Sequence, residues 1–471
     1  MTLRREAEKR KSSPLGTEMA SLCKVSLKMV APPIMKLDID CFHEVFDYLC
    51  LDDIISIGHT CQRLQRIASR FIQQNFAAKR KTYVNDNIYM CWKPRQISIF
   101  SLFIEKISIF GDFPDSFLSI NAVRFHLLNE IRLAQIELDS VKIECIKAIL
   151  PQVEVIELDQ CCFKQNFYGD FLKLCPKLHR LSVSRSSYDR DGGTIIGTDN
   201  EWMRQKYASL EHLELTDLYE FKGNELKHFF ESNQNVHSFS TDAKSLLINR
   251  QSFLSCGGKI QRLAIDFHPK NIDSDAEPAF IVNLIYQLLT ELYEKGFYRS
   301  LHLYITFFDR NNCLQKLFSM DSLEMIGGFV TLIENPLLNV KNLDINKGLD
   351  VTNLEEFPDK FPKLERIHFT EATANDILPF VRQSKSLKVM KIDLLVDGTH
   401  LEKGVLDLVA LDKERSTLIR ARKLMIYVNE TVFLATKWAT SDLNLKFIEL
   451  RRGESFEFKH LNARHRFITS F

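Results

Sequence analysis

The sequence predicts an α/β protein: a short helical segment, followed by a solenoid of parallel strands with helices outside them. Three observations predict it. Apolar residues between Leu37 and Ala68 recur at helical spacing in three short groups. From Ile104 to Leu450 one short pattern, apolar-x-x-apolar-x-apolar, keeps returning at steps mostly in the twenties of residues, longer where insertions fall, each strand-sized piece being followed by a helix-sized gap. The length, 471 residues, exceeds one ordinary core and suits a repeat array.

Residues 1–33 are charged, contain serines and end at Ala31-Pro32-Pro33, so a disordered tail is expected. Its run from Arg4-Arg5 to Lys9-Arg10-Lys11 reads as a solvated tail or as a nuclear import signal, and no apolar leader precedes it. Residues 34–80 form the helical segment. Phe42, Val45, Phe46 and Leu49 share one stripe, and Asp40 can cap that helix. Asp52 or Asp53 can cap a second helix carrying Ile54, Ile55 and Ile57, while Cys61, Leu64, Ile67 and Ala68 stripe a third. Three such helices make a very small core, of the kind that usually needs a partner. Helix-like sequence continues from Phe71 to Tyr83, then Asn85 to Pro94 breaks the pattern, and residues 81–96 read as a linker.

Residues 97–471 carry the repeats. The units are Ile104-Ile107-Ile109, Leu133-Ile136-Leu138, Val153-Ile156-Leu158, Leu178-Leu181-Val183, Leu210-Leu213-Leu215, Val236-Phe239-Thr241, Ile260-Leu263-Ile265, Tyr298-Leu301-Leu303, Val340-Leu343-Ile345, Leu364-Ile367-Phe369, Leu387-Met390-Ile392, Ala421-Leu424-Ile426 and Leu445-Ile448-Leu450. Pro151, Pro176 and Pro362 each stand two residues before the first apolar position, where proline ends a helix and leads into a strand. Between strands, Ile281, Leu284, Ile285, Leu288, Leu289 and Leu292 fall on one helical face, and Gly296 suits the cap that ends it. Asp189–Asp199 and Asn271–Glu277 read as loop insertions, and Arg451–Phe471 would cover the end of the array.

Composition narrows the function classes. With 62 basic and 61 acidic residues there is no global charge to suggest nucleic acid or an anionic membrane as a partner. Apolar runs stop well short of a spanning length. The 11 cysteines are scattered, without CxxC pairs, as in a reduced cytoplasmic or nuclear protein. HExxH, GxSxG and GxxxxGK[ST] are all missing. The pairs Gly192-Gly193, Gly257-Gly258 and Gly327-Gly328 read as turns, and Cys161-Cys162 as repeat-core thiols, since no nearby histidine completes a zinc set. No catalytic residue, metal or cofactor is expected.

Leu37 to Ser69 resembles an F-box. Leu37, Asp38 and Asp40 match the motif's opening, Cys41-Phe42 its apolar pair, Val45-Phe46-Asp47-Tyr48-Leu49 its Ile-Phe-x-x-Leu run, Asp53-Ile54 its acid-Leu pair, and Cys61 to Ala68 its Cys-x-Arg-aromatic-x-Arg-Leu-Ala ending. Asp38 replaces the usual Pro and Leu64 the usual Trp. The repeats resemble leucine-rich repeats, LxxLxLxx followed by Asn or Cys, with Val153 to Cys161 alone reaching the final Cys. The resemblance implies a substrate-receptor subunit of an SCF (Skp–cullin–F-box) ubiquitin ligase, non-catalytic itself, partnered with a Skp-type adaptor and through it a cullin. Motif matching implies adaptor contact by Leu37, Phe42, Val45, Phe46, Leu49, Leu51 and Ile54, some of which must instead close the three-helix core. The alternative is a non-degradative scaffold with a vestigial or adaptor-only F-box.

The repeat register adds an expectation about the target. The third, fifth and seventh positions should face the open, concave side of the sheet. Fifth and seventh positions include Glu137, Asp139, Glu157, Asp159, Glu214, Asp242, Asp266, Asp344, Asp393 and Glu449, with Lys391 and Arg451 the basic exceptions, and third positions include Lys106, Arg180, Arg262, Arg366 and Lys423. An acidic lane beside a basic one would suit a protein substrate with a basic segment, with Glu137, Asp139, Glu157, Asp159, Glu214, Asp242 and Asp266 as its contacts. Otherwise the charges pair across neighbouring strands.

Overall fold

The computed structural model describes residues 33–76, 81–84, 87–90, 93–95, 105–110, 125, 127–163, 168–184, 201–216, 224–267, 278–305, 314–328, 333, 335–346, 354–396, 404–440 and 444–453. The tail before Pro33, both loop insertions and the end of the chain after Gly453 lie outside the described residues. The chain separates into two compact units, Met1–Val45 and Phe46–Phe471.

The first unit contains a 3-10 turn at Pro33–Lys36 and most of α1 (Ile39–Phe46). Asp38, not Asp40, caps this helix: its Oδ1 accepts from the Cys41 N–H at 2.8 Å. The reason is positional. Asp38 is the last residue before the helix and Cys41 is its third helical residue, the N–H that a capping side chain reaches. That N–H holds the Asp38 carboxyl below its usual range. Asp40 instead lies in the first turn.

The second unit begins with α2 (Leu51–Gly58) and α3 (Gln62–Phe76). Neither Asp52 nor Asp53 caps α2; both lie in its first turn, where negative charge favours the helix dipole, and Cys50 takes the cap position without a side-chain bond to the backbone. The two helices approach closely at Gly58, where an added Cβ would lie 3.2 Å from that of Ala68.

Residues 81–96, expected to link the parts, instead contain three strands: β1 (Lys81–Val84), β2 (Asn87–Met90) and β3 (Lys93–Arg95). β2 is antiparallel to both of its neighbours, and β1 is also parallel to β4 (Lys106–Phe110). Thr82, Tyr83, Val84, Ile88 and Tyr89 are strong strand formers, which explains the difference. The sheet has 17 strands. After β4 come β5 (Glu130–Ala134), a short β6 (Glu137–Leu138), β7 (Val155–Asp159), β8 (Cys162–Phe163), β9 (Arg180–Ser184), β10 (His212–Thr216), β11 (Ser238–Asp242), β12 (Arg262–Phe267) and β13 (Ser300–Ile305). β14 (Leu323–Gly328), β15 (Asn342–Ile345), β16 (Arg366–Ala372), β17 (Val389–Leu395), β18 (Leu424–Val428) and β19 (Ile448–Arg452) complete it, while β6 and β8 pair apart from the main sheet. From β4 to β19 each strand is parallel to the next, the arrangement of a strand–helix solenoid.

Register aligns the apolar positions into columns. Ile107, Ile131, Ile156, Leu181, Leu213, Phe239, Leu263 and Leu301 are successive partners, all buried. Each such side chain contributes about 1.5–3 kcal/mol by leaving water. The first apolar residue closes a turn: Leu128, Val153, Leu178, Val236, Leu323, Leu364 and Leu387 donate to the carbonyl three residues earlier at 3.0–3.3 Å. Pro151, Pro176 and Pro362 sit one residue after that carbonyl, where a fixed φ suits a turn. The helix Pro278–Glu294 ends as expected, with Gly296 at φ 72° and Phe297 N–H bonded to Leu292 O in a Schellman cap. Among the described residues no helix is long and apolar enough to cross a membrane.

Four expectations about units change. The second unit is Leu128-Ile131-Leu133, because pairing sets Ile131 beside Ile156 and Leu133 beside Leu158. β14 is a unit absent from the sequence list, because its last core position is Gly328 rather than an apolar residue. The pair Gly327-Gly328 is therefore strand, not turn. In β18, Ile426 and Val428 pair with Met390 and Ile392, two residues along from the expected frame. β19 follows that shift, so Arg452 pairs with Val428 and occupies a core position.

Candidate functional site

The seven residues expected at the adaptor divide by burial. Phe42, Phe46, Leu51 and Ile54 are buried within the chain itself, Leu37 and Leu49 are half-buried, and Val45 is 44% exposed. Phe46 packs edge-on against Phe71 with ring centroids 5.4 Å apart, so it holds α3 rather than a surface. Beside Val45, the first unit also exposes Ile34 (52%) and Ile39 (43%). Stripe spacing alone cannot separate these groups, because it marks an apolar face without saying what covers it.

On the sheet, the acidic positions are largely engaged within the fold. Glu137 and Asp139 leave the predicted lane with the register change: Glu137 belongs to β6, and Asp139 caps the helix Ser140–Ile146 by accepting from Lys142 N–H at 2.9 Å. Asp242 caps Ala243–Ile248, accepting from the Ser245 N–H and hydroxyl at 2.8 and 2.6 Å. Asp159 pairs with Arg132 at 2.7 Å and Glu214 with Arg180 at 3.2 Å. Lys106–Glu130 and Lys423–Glu449 pair at 2.9 and 2.8 Å. Glu157 and Asp266 are buried at their strand positions. Cross-strand pairing thus accounts for much of the charge.

The densest polar group lies later in the array. Asp266, Tyr304, Gly327, Asp344, His368, Lys391, Tyr427 and Arg451 are successive register partners across β12 to β19. His368 sits between two carboxylates, Nδ1 3.0 Å from Asp344 and Nε2 3.0 Å from Asp393, while Lys391 lies 3.3 Å from Asp393. Two carboxylates against an imidazolium and an ammonium leave the group locally neutral, as buried charge requires. Burial opposes the charged imidazole, but Asp344 and Asp393 outweigh it and push the group up to about 9. Next to it, the Tyr304 ring crosses over Gly327, where a Cβ would come within 2.7 Å, and its hydroxyl bonds Asn346 at 2.7 Å. From Asp266 to Tyr427 this lane is a buried row of polar side chains held in place by one another. Sequence reading placed Asp344, Lys391 and Asp393 on this face. It missed His368, the fifth-position residue of a unit already identified.

Cys161 is buried, its thiol donating to Leu133 O at 3.2 Å, and burial pushes it up to about 12, so it is held as an inert thiol. Compared with known proteins, the chain matches no protein-family model and no curated sequence.

Proposed function

We propose that the chain is a substrate-receptor subunit of an SCF-type ubiquitin ligase, with residues 34–80 acting as an F-box and the parallel repeats holding a target protein. The observation that carries this reading is the exposed apolar set Ile34, Ile39 and Val45 on and before α1, inside the stretch that resembles the docking motif. Exposed apolar side chains close together in sequence, on a short helix and the turn before it, are what a docking surface needs. Asp38 fits the reading as well: where the motif usually has Pro, it starts the helix by capping it.

In this reading the adaptor contacts are Ile34, Ile39 and Val45 with part of Leu37 and Leu49, whereas Phe42, Phe46, Leu51 and Ile54 are buried and serve the core. The target would meet the half-exposed polar side chains beside the buried row around His368, Asp393, Glu449 and Arg451 among them. Bringing a target near a ubiquitin-charged enzyme acts by raising effective concentration, which needs no catalytic group in this chain. The test is co-purification of the full chain with a Skp-type adaptor and a cullin. Capture of both supports the ligase reading; capture of the adaptor without the cullin supports the scaffold; capture of neither rejects the docking assignment.

A further inference from the structure

The second positions of three successive units, His179, Glu211 and His237, form a column at the strand starts, and His212 follows Glu211 directly. Backbone bonds fix their spacing: Glu211 N–H donates to His179 O at 2.8 Å and His237 N–H to Glu211 O at 3.0 Å. Donor atoms of Glu211, His212 and His237 all lie within 4.8 Å of one another, and each residue is half-buried. The two imidazoles meet edge to face with centroids 4.6 Å apart.

The distances are informative. His237 Nε2 is 3.5 Å from one Glu211 oxygen, and His179 Nδ1 is 3.8 Å from the other. Both exceed a good hydrogen bond. Two ligands bonded at about 2.0–2.1 Å to one tetrahedral ion stand about 3.3–3.4 Å apart, close to the Glu211–His237 spacing. Small side-chain rotations bring the third donor in. Arg180, the strand partner of His212, is drawn to Glu214 at 3.2 Å, which offsets its charge near the site.

The geometry points to a zinc(II) site made by Glu211, His212 and His237, joining the second and third of these repeats, with a fourth position open to water or an outside ligand. Imidazole and carboxylate donors with one open position are a set that zinc accepts. His179, beside the other Glu211 oxygen, would orient the carboxylate from outside the coordination sphere. His212 opens β10 and His237 directly precedes β11, and the backbone bonds between these neighbouring segments would hold both before the ion arrives, so binding would demand little backbone ordering.

The test is zinc titration of the full chain, stripped with chelator, against a chromophoric indicator, with cobalt(II) substitution to report coordination. Expected are one saturable histidine-dependent site, a visible cobalt spectrum of tetrahedral type, and a melting midpoint that rises with zinc. His212→Gln and His237→Gln should each weaken binding at least about tenfold and remove the thermal shift, while His228→Gln, whose ring faces Glu231 elsewhere, should not. Because the ligands are half-buried and not in the core, the variants should fold and can be checked for unchanged circular dichroism. Absence of saturable binding, or binding equal in wild type, His212→Gln and His237→Gln, would overturn the proposal, since the thiols would then be responsible.

Discussion

His368 is a buried imidazole that the fold keeps charged. Its folded value, about 9, lies above the ordinary histidine value of 6.5, so its stabilisation is full below about pH 6.5 and is lost as pH rises through about 9. Denaturant midpoints of wild type and His368→Gln, compared from pH 6 to pH 10, should differ most at the acidic end and converge at the basic end. A constant difference would show that the ring acts by packing alone. The two glycines of β14 make a second residue-scale case. A Cβ at Gly328 would lie 1.7 Å from Ile305 O, and its φ is 95°. Gly328→Ala should therefore cost about 3 kcal/mol or more. Gly327→Ala, whose nearest neighbours are the Tyr304 ring and the Asp344 Cβ, should cost about 1–3 kcal/mol. These glycines also mark what a sequence hides. A core position filled by Gly328 carries no apolar signal, and only the neighbouring strand reveals why nothing larger fits.

At the scale of elements, Arg452 shows how far a local pattern can mislead. It sits on β19 where a repeat should place an apolar residue, and it is buried. Its guanidinium bonds Glu430 and Asp47 at 3.0 Å and the carbonyls of Phe46, Asp47 and Leu49 at 3.2 Å, and it stacks over Phe433 at 4.4 Å. This ties the turn before α2 to the last described strand, across some 400 residues of sequence. Tyr48 and Trp438 add a ring contact at 5.7 Å. Arg452→Leu leaves Asp47 and Glu430 without this cation and should destabilise by at least about 2 kcal/mol. Limited proteolysis should then cut first near the α2 turn; a variant with wild-type stability would remove the tie from the account. The repeats themselves were legible because LxxLxL combines period 2 with a fixed lead-in, and most units fall where that pattern puts them. The shifted ones, at Leu133 and at Leu424, lie where alternation runs on past the unit, so the pattern alone fits more than one frame. The acidic lane failed in part for the same reason: two of its members belonged to the wrong frame, and Asp242 proved to be a helix cap.

For the whole molecule, the proposed function rests on surfaces rather than on reactive groups. The helices of residues 39–76 were legible from spacing, but the division between core and surface was not: Phe46 and Val45 are adjacent in sequence and opposite in exposure. That division makes the central claim testable without confusing docking with folding. Phe46→Ala removes a core ring and should lower stability by about 3–5 kcal/mol, so lost capture in that variant would say nothing about docking. Val45 and Ile39 are the positions to change. The direct measurement is the affinity of the purified full chain for a purified Skp-type adaptor, for wild type and for Ile39→Asp/Val45→Asp. The account predicts a stable complex that recruits cullin, weakened by at least about 2 kcal/mol in the double variant while its unfolding midpoint stays near that of wild type. Undiminished affinity in the folded double variant, or no complex with wild type, would contradict it.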